Sequence, residues 1–219
     1  MARKDQALQA PDETAHDFTR FPRKTLRAGT HWYRQHQDRR TSPDRGIWYF
    51  ASHPDGVESD GRFDLAAPNG TCYLATSEVG AVNELIGPDH TERGWVDADL
   101  LDGRALSKVA LPADVKAADT TAERASAFRL TNELPATERY DITQAWAQVL
   151  HDAGFAGVYA VLRFTPGTTR GLALFGDAGP PTPVPPGDPS PTSVREVVER
   201  LGIDVVDRPA FTAVSIVHL

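Results

Sequence analysis

The chain has one cysteine and one methionine in 219 residues, too few sulfur atoms for a cross-linked scaffold. Cys72 cannot close an intrachain disulfide and has no partner cysteines for a metal cluster, so the composition fits a reducing compartment and gives Cys72 a space-filling role in a strand. The seven histidines lack ligand spacing, with His31, His36 and His53 separated by loops, and no metal is expected. Apolar runs long enough to span a bilayer are missing, and no apolar stretch follows the charges of the opening Met-Ala-Arg-Lys-Asp-Gln. The expectation is therefore a cytoplasmic protein with neither membrane span nor signal peptide. Positive charge is scarce too, with 23 Lys and Arg against 30 Asp and Glu, a net charge of −7 and a pI near 5.5. That balance offers nothing to a phosphate backbone and argues against direct nucleic-acid binding. Neither a Gly-x-Gly-x-x-Gly nor a Walker pattern occurs, and Gly-Thr-Thr-Arg-Gly at 167–171 reads as a hairpin turn rather than an anion loop.

What is present is an ordinary globular composition, 40% hydrophobic and 24% charged, in a chain long enough for one domain with a core. Residues 1–22 are polar, carry Pro11 and Pro22 and show no sustained period, so they read as a flexible N-terminal arm ahead of a domain over 23–219. Strands are predicted at 31–34, 47–51, 72–75, 104–111, 158–164 and 172–175, with an apolar run at 211–218 suited to a closing strand. A helix over 77–86 should stop before Gly87-Pro88, and 120–131 reads as another. The clearest helix is 142–153. Asp141 and Gln144 have capping-box spacing, Trp146, Val149, Leu150 and Ala153 share one face, and Gly154 follows. Seven prolines in 179–191 make that stretch a surface loop, and 193–201 is an amphipathic helix ending at Gly202. Strands and helices intermix without regular alternation, which argues for a mixed α+β domain.

Several short segments resemble one family in order and spacing. They are Gly-Thr-His-Trp-Tyr-Arg (29–34), Gly-Arg-Phe-Asp (61–64), Thr-Cys-Tyr-Leu-Ala (71–75), Ala-Val-Asn-Glu-Leu (81–85), Tyr-Asp-Ile-Thr-Gln-Ala-Trp-Ala (140–147), Ala-Gly-Phe-Ala-Gly-Val (153–158) and Gly-Leu-Ala-Leu-Phe (171–175). Together they are similar to the RES domain, named for an Arg, a Glu and a Ser, whose characterised members are bacterial toxins that consume NAD. The resemblance implies a single compact domain like the ADP-ribosyltransferases, with a small split mixed sheet flanked by helices. It also implies NAD as substrate, cleaved at the nicotinamide–ribose bond by phosphorolysis or hydrolysis, with two rival readings, an ADP-ribosyltransferase acting on a protein and a catalytically degenerate NAD-binding protein. An Xre-type antitoxin partner is implied as well, and a homodimer is left open. One element departs: the family's signature Ser falls on or beside Leu162, and Arg163 next to it can be matched.

Breaking the nicotinamide–ribose bond of NAD calls for a guanidinium on the pyrophosphate, an aromatic face for nicotinamide and a carboxylate near the ribose as positive charge develops. The resemblance assigns these to Arg34, Tyr73 and Glu84. It adds Arg62 as a second phosphate or ribose contact and Tyr49 as an adenine platform. The residues alone allow plainer readings. Arg34 could be a solvated arginine over Trp32 or Tyr33, Arg62 part of an ordinary turn, and Tyr73 a core tyrosine in an alternating strand. Tyr49, in a Trp-Tyr-Phe run, could be core. Val79, Val82 and Ile86 form the apolar stripe of their helix and leave Glu84 on the far side, where a solvent-facing glutamate and a cleft-facing catalytic one look alike.

Overall fold

The structure is a computed structural model and describes residues 7–38, 45–53 and 61–207. Among the described residues twelve strands are formed: β1 (Arg23–Leu26), β2 (His31–Gln37), β3 (Ser52–His53), β4 (Leu65–Ala66), β5 (Asn69–Ala75), β6 (Trp95–Asp97), β7 (Arg104–Ala110), β8 (Val115–Asp119), β9 (Gly157–Val161), β10 (Arg170–Asp177), β11 (Thr192–Ser193) and β12 (Asp204–Val206). The helices are α1 (Glu78–Arg93), α2 (Ala98–Leu101), α3 (Tyr140–Asp152) and α4 (Val194–Arg200). Eight strands make one mixed sheet in the order β1-β8-β9-β10-β5-β2-β7-β11, in which only β8 and β9 run parallel. This is the α+β architecture expected.

Alternation along the strands sorts side chains to two faces. Trp32, Cys72, Leu74, Val109, Leu172 and Leu174 pack on one face with Ile47, Trp48 and Phe50. On the other, Val158, Ala160, Ala173 and Phe175 meet Trp146 and Leu150 of α3, while Ala75 and Leu106 meet α1 and α4. The sheet is split near its middle. β2 matches β7 over seven residue pairs and β10 matches β5 over seven, yet β2 and β5 share one, Tyr33 opposite Ala75. Beyond that pair the strands part.

Two expectations about helices need correction. α1 does not stop at Gly87-Pro88 but continues to Arg93 and ends at Gly94 with φ +78°, the left-handed cap glycine adopts freely. Gly87 lies so close to the Phe164 ring that a Cβ would stand 2.1 Å from it, and this contact with the later chain outweighs the one backbone bond Pro88 removes. In α3 the capping box does not form. Arg139 is the N-cap and contributes no side-chain cap; Asp141 pairs with Arg139, and Gln144 Nε2 donates to the Gly61 carbonyl at 3.0 Å. The α3 amide thereby fixes the 61–64 turn.

The arm expected to be flexible is packed from residue 7 onward. Leu8 is fully buried, Trp146 Nε1 donates to the Gln9 carbonyl at 2.9 Å, and Phe18 and Phe21 join an aromatic cluster with Phe128, Trp146 and Phe155. Polar composition hid three apolar anchors, Leu8, Phe18 and Phe21. Elsewhere 120–131 yields only a 3-10 turn, Glu123–Phe128, and 47–51 yields isolated bridges at Phe50 and Ala51. The proline-rich 179–191 loop is held by Trp48 Nε1 on the Pro186 carbonyl and by Asp188 on the Lys108 amide. The predicted strand at 211–218 lies outside the described residues.

Candidate active site

A cavity of about 420 Å³ opens where β2 and β5 diverge, lined by Tyr33, Arg34, Tyr73 and Ala75 of those strands, by Ala81, Glu84 and Pro88 of α1, by Gly61, Arg62 and Phe63, by Pro135 and Tyr140, and by 160–164. The split exposes backbone and side chains that a continuous sheet would seal, so the topology itself makes the cleft.

Glu84 projects into this cleft from α1, whose start is fixed by the Ser77 hydroxyl accepting from the Gly80 amide at 3.1 Å. Its carboxylate stays open to solvent, and Oε1 accepts the Phe164 amide at 2.9 Å. Partial burial pushes its pKa above the usual glutamate value, while the Phe164 amide and the charges of Arg62 and Arg163 pull the other way. Asn83 Nδ2 also donates to the Phe164 carbonyl, at 3.4 Å. Residue 164 is therefore pinned to the helix turn that carries Glu84.

Arg62 comes from the turn that α3 holds: Thr143 donates its hydroxyl to the Arg62 carbonyl. Its guanidinium donates to the carbonyls of Leu134, at 3.2 Å, and Thr137, and lies 5.0 Å from the centre of the Tyr140 ring. Burial lowers its pKa, although a guanidinium stays charged throughout the working pH range. Arg163, two residues beyond β9, reaches Glu138 at 3.2 Å and stacks 5.0 Å over Phe164. Two cations thus flank one carboxylate, and the cleft favours an anionic ligand.

Tyr73 lines the same cleft. Its hydroxyl donates to Asp64 Oδ1 at 2.7 Å and accepts from the Phe63 amide at 2.8 Å. Burial, reinforced by the Asp64 charge, pushes its pKa well up, so it is a neutral phenol whose ring, not its hydroxyl, is available.

Arg34 is placed differently from the expectation of a free phosphate grip. Along β2 it alternates with Tyr33 and shares the face of Trp32, and its guanidinium contacts Cys72 Sγ, a residue of that same face. Nη1 donates to the Ile47 carbonyl at 2.8 Å and Nη2 to the Tyr49 carbonyl at 2.7 Å. The side chain fills the gap between the parted strands and braces the 47–49 segment. Tyr49 is likewise not brought into the cleft: its ring is absent from the lining, and Arg45 lies 5.7 Å from its centre. Leu162 does line the cleft, wedged between Gly80 and Gly171, where added Cβ atoms would stand 2.8 and 2.6 Å from its methyl groups.

The structure brings together Tyr73, Glu84 and Arg62, adds Tyr140, Asp64 and Arg163, and leaves Arg34 in the wall. Tyr140 and Asp64 gave only faint signals, as the first residue of Tyr-Asp-Ile-Thr-Gln-Ala-Trp-Ala and the fourth of Gly-Arg-Phe-Asp. Among the described residues no group of three or more His, Cys, Asp or Glu could hold a metal ion, and no helix is long and apolar enough to cross a membrane.

No curated protein matches the chain. A solved structure, the M. tuberculosis MbcT–MbcA toxin–antitoxin complex, is similar at 17% identity over 69% of this chain and 76% of that one, with a TM-score of 0.47, a likeness too slight to speak for activity. The family model of the RES domain matches residues 52–192, which takes in Arg62, Tyr73, Glu84, Tyr140 and Arg163 and leaves out Arg34. With more than half of its length matched, the chain belongs to the RES domain family.

Proposed function

We propose that this chain is an NAD-consuming enzyme of RES toxin type that cleaves the nicotinamide–ribose bond by phosphorolysis or hydrolysis. The observation that carries the reading is one carboxylate, Glu84, set in a split-sheet cleft beside two guanidiniums and a neutral tyrosine ring. In this assignment Arg62 and Arg163 hold the pyrophosphate, and both can exchange their present carbonyl or carboxylate partners for phosphate oxygens. The Tyr73 ring packs on nicotinamide. As the bond breaks, nicotinamide leaves with the electron pair and positive charge grows on the ribose, where Glu84 stabilises it. Phosphate or water then completes the ribose carbon. Arg34 acts from behind, keeping the split open and the 47–49 segment in place. In the cytoplasm such activity would drain NAD and be toxic, and by family resemblance an Xre-type antitoxin would restrain it.

Leu162 favours a second reading, a binding protein with catalysis much reduced, because it presents methyl groups where the family has a hydroxyl. Incubation with NAD, with and without phosphate, followed by product analysis separates the two. Nicotinamide release that depends on phosphate supports phosphorolysis, and release without it supports hydrolysis. Intact NAD after long incubation with folded, concentrated protein sinks the enzymatic reading.

A further inference from the structure

Asp64 is 4% exposed, a costly place for a carboxylate, and the local chain is arranged around it. The Asp64 amide closes a turn onto the Gly61 carbonyl at 3.2 Å. The Phe63 carbonyl takes the Thr71 hydroxyl at 2.8 Å, and Thr143 and Gln144 of α3 hold the carbonyls of Arg62 and Gly61. Position 61 must lack a side chain, because a Cβ there would lie 2.1 Å from Asp64 Oδ1. All of this delivers one acceptor oxygen to the Tyr73 hydroxyl at 2.7 Å.

We propose that Asp64 is a positioning residue of the cleft, which, by engaging the Tyr73 hydroxyl from behind, presents the ring of Tyr73 to the bound substrate as a fixed packing surface. The hydroxyl's proton goes to Asp64 and it also accepts the Phe63 amide, so it is fully engaged on the protein side. Without Asp64 only the Phe63 amide holds the hydroxyl, and the phenol is less firmly kept from turning its polar end toward the cavity, against a flat ring that needs an aromatic face. The identity of that ring as nicotinamide rests on the NAD-cleaving reading above. The fixing of Tyr73 does not.

The test is a set of variants of the full chain, Asp64→Ala, Asp64→Asn, Gly61→Ala, Tyr73→Phe and Asp64→Ala in the Tyr73→Phe background, assayed for nicotinamide release and for urea unfolding. Asp64→Ala should raise KM for NAD about tenfold with kcat little changed, as expected for one lost charged hydrogen bond acting on ground and transition states alike. Asp64→Asn keeps the acceptor oxygen and should restore KM. Gly61→Ala, which displaces the carboxylate, should mimic Asp64→Ala. Once Tyr73 lacks its hydroxyl, removing Asp64 should have no further effect on KM. An effect of Asp64→Ala that persists undiminished in the Tyr73→Phe background, or an Asp64→Asn variant as impaired as Asp64→Ala, overturns the proposal. Should the wild-type chain leave NAD intact, the functional reading fails while this inference is still judged by unfolding. Positions 64 and 73 should then couple by about tenfold in the folded-to-unfolded ratio, and zero coupling overturns it.

Discussion

Replacing Arg34 by alanine separates two roles that the residue type alone cannot distinguish. If Arg34 were a ligand grip, its loss would weaken NAD binding and leave the fold untouched. The structure instead commits its guanidinium to the Ile47 and Tyr49 carbonyls at 2.8 and 2.7 Å and to Cys72. A hydrogen bond from a charged donor contributes about 1.5–3 kcal/mol, and an orphaned buried acceptor costs about 1–3 kcal/mol. Ile47 is 5% exposed and cannot easily rehydrate, whereas Tyr49 is half-buried and solvent would restore part of its loss. Together these place the destabilisation of Arg34→Ala at about 2–4 kcal/mol, several times the ~0.5 kcal/mol typical of a surface substitution. For a chain of this length that is roughly 5–15 °C in Tm. Urea and thermal unfolding, read beside calorimetric titration with NAD, form the assay. Arg34→Lys should recover only part, because an ammonium is a point donor and cannot fork between two carbonyls. An Arg34→Ala protein that unfolds like wild type while failing to bind NAD would refute the bracing role and return Arg34 to the phosphates.

Glu84→Gln should lower kcat far more than it changes KM, since the carboxylate acts on developing charge. Because burial raises the Glu84 pKa above 4.5, wild-type activity should fall as pH drops through a point above that value; a pH–rate profile that is identical in Glu84→Gln would remove Glu84 from the chemistry. Leu162→Ser should speed turnover by up to about tenfold by returning a hydroxyl to the cleft. It should also cost about 2 kcal/mol in unfolding free energy through lost packing against Gly80 and Gly171, and a stable variant with unchanged rate would show that the position does not bear on the reaction. Leu8→Ala should destabilise by about 2–4 kcal/mol, as for a fully buried leucine; a change under ~0.5 kcal/mol would mean that the N-terminal segment detaches in solution.

The readable parts of the fold are those where one local pattern sets the structure. α3 shows its apolar face in Ile142, Trp146, Val149 and Leu150, and β10 shows an unbroken apolar run over 171–175. The misread parts depend on distant partners. Pro88 reads as a stop because a local rule applies to it, and only the Phe164 ring, far along the chain and packed on Gly87, explains why α1 passes through. The arm reads as polar because Leu8, Phe18 and Phe21 are spaced too far apart to make a period, although each is buried against α3 or its neighbours. Gln144 and Asp141 have the spacing of a cap, but Gly61 and Arg139 compete for their side chains and win.

The site divides along the same line. Tyr73, Glu84 and Arg62 could be named because motif order fixes them in sequence, and the split sheet gathers them around one cavity. Arg34 belongs to the same motif order and lines that cavity too, yet which way its guanidinium turns depends on strand parity. The Tyr33–Ala75 pairing sends Tyr33 and Ala75 to the face of α1, and so, in steps of two, Tyr73 to that face and Arg34 to the other. A register shift of one residue would have exchanged Tyr33 and Arg34, turning the guanidinium toward α1 and a tyrosine toward the face of Cys72. Register is a property of two strands and the turn between them, and a single strand does not contain it. The cations left facing Glu84 sit where no parity rule applies, Arg62 in a turn and Arg163 two residues beyond a strand. That is why the resemblance could supply the residue types of the cleft but not which arginines face Glu84.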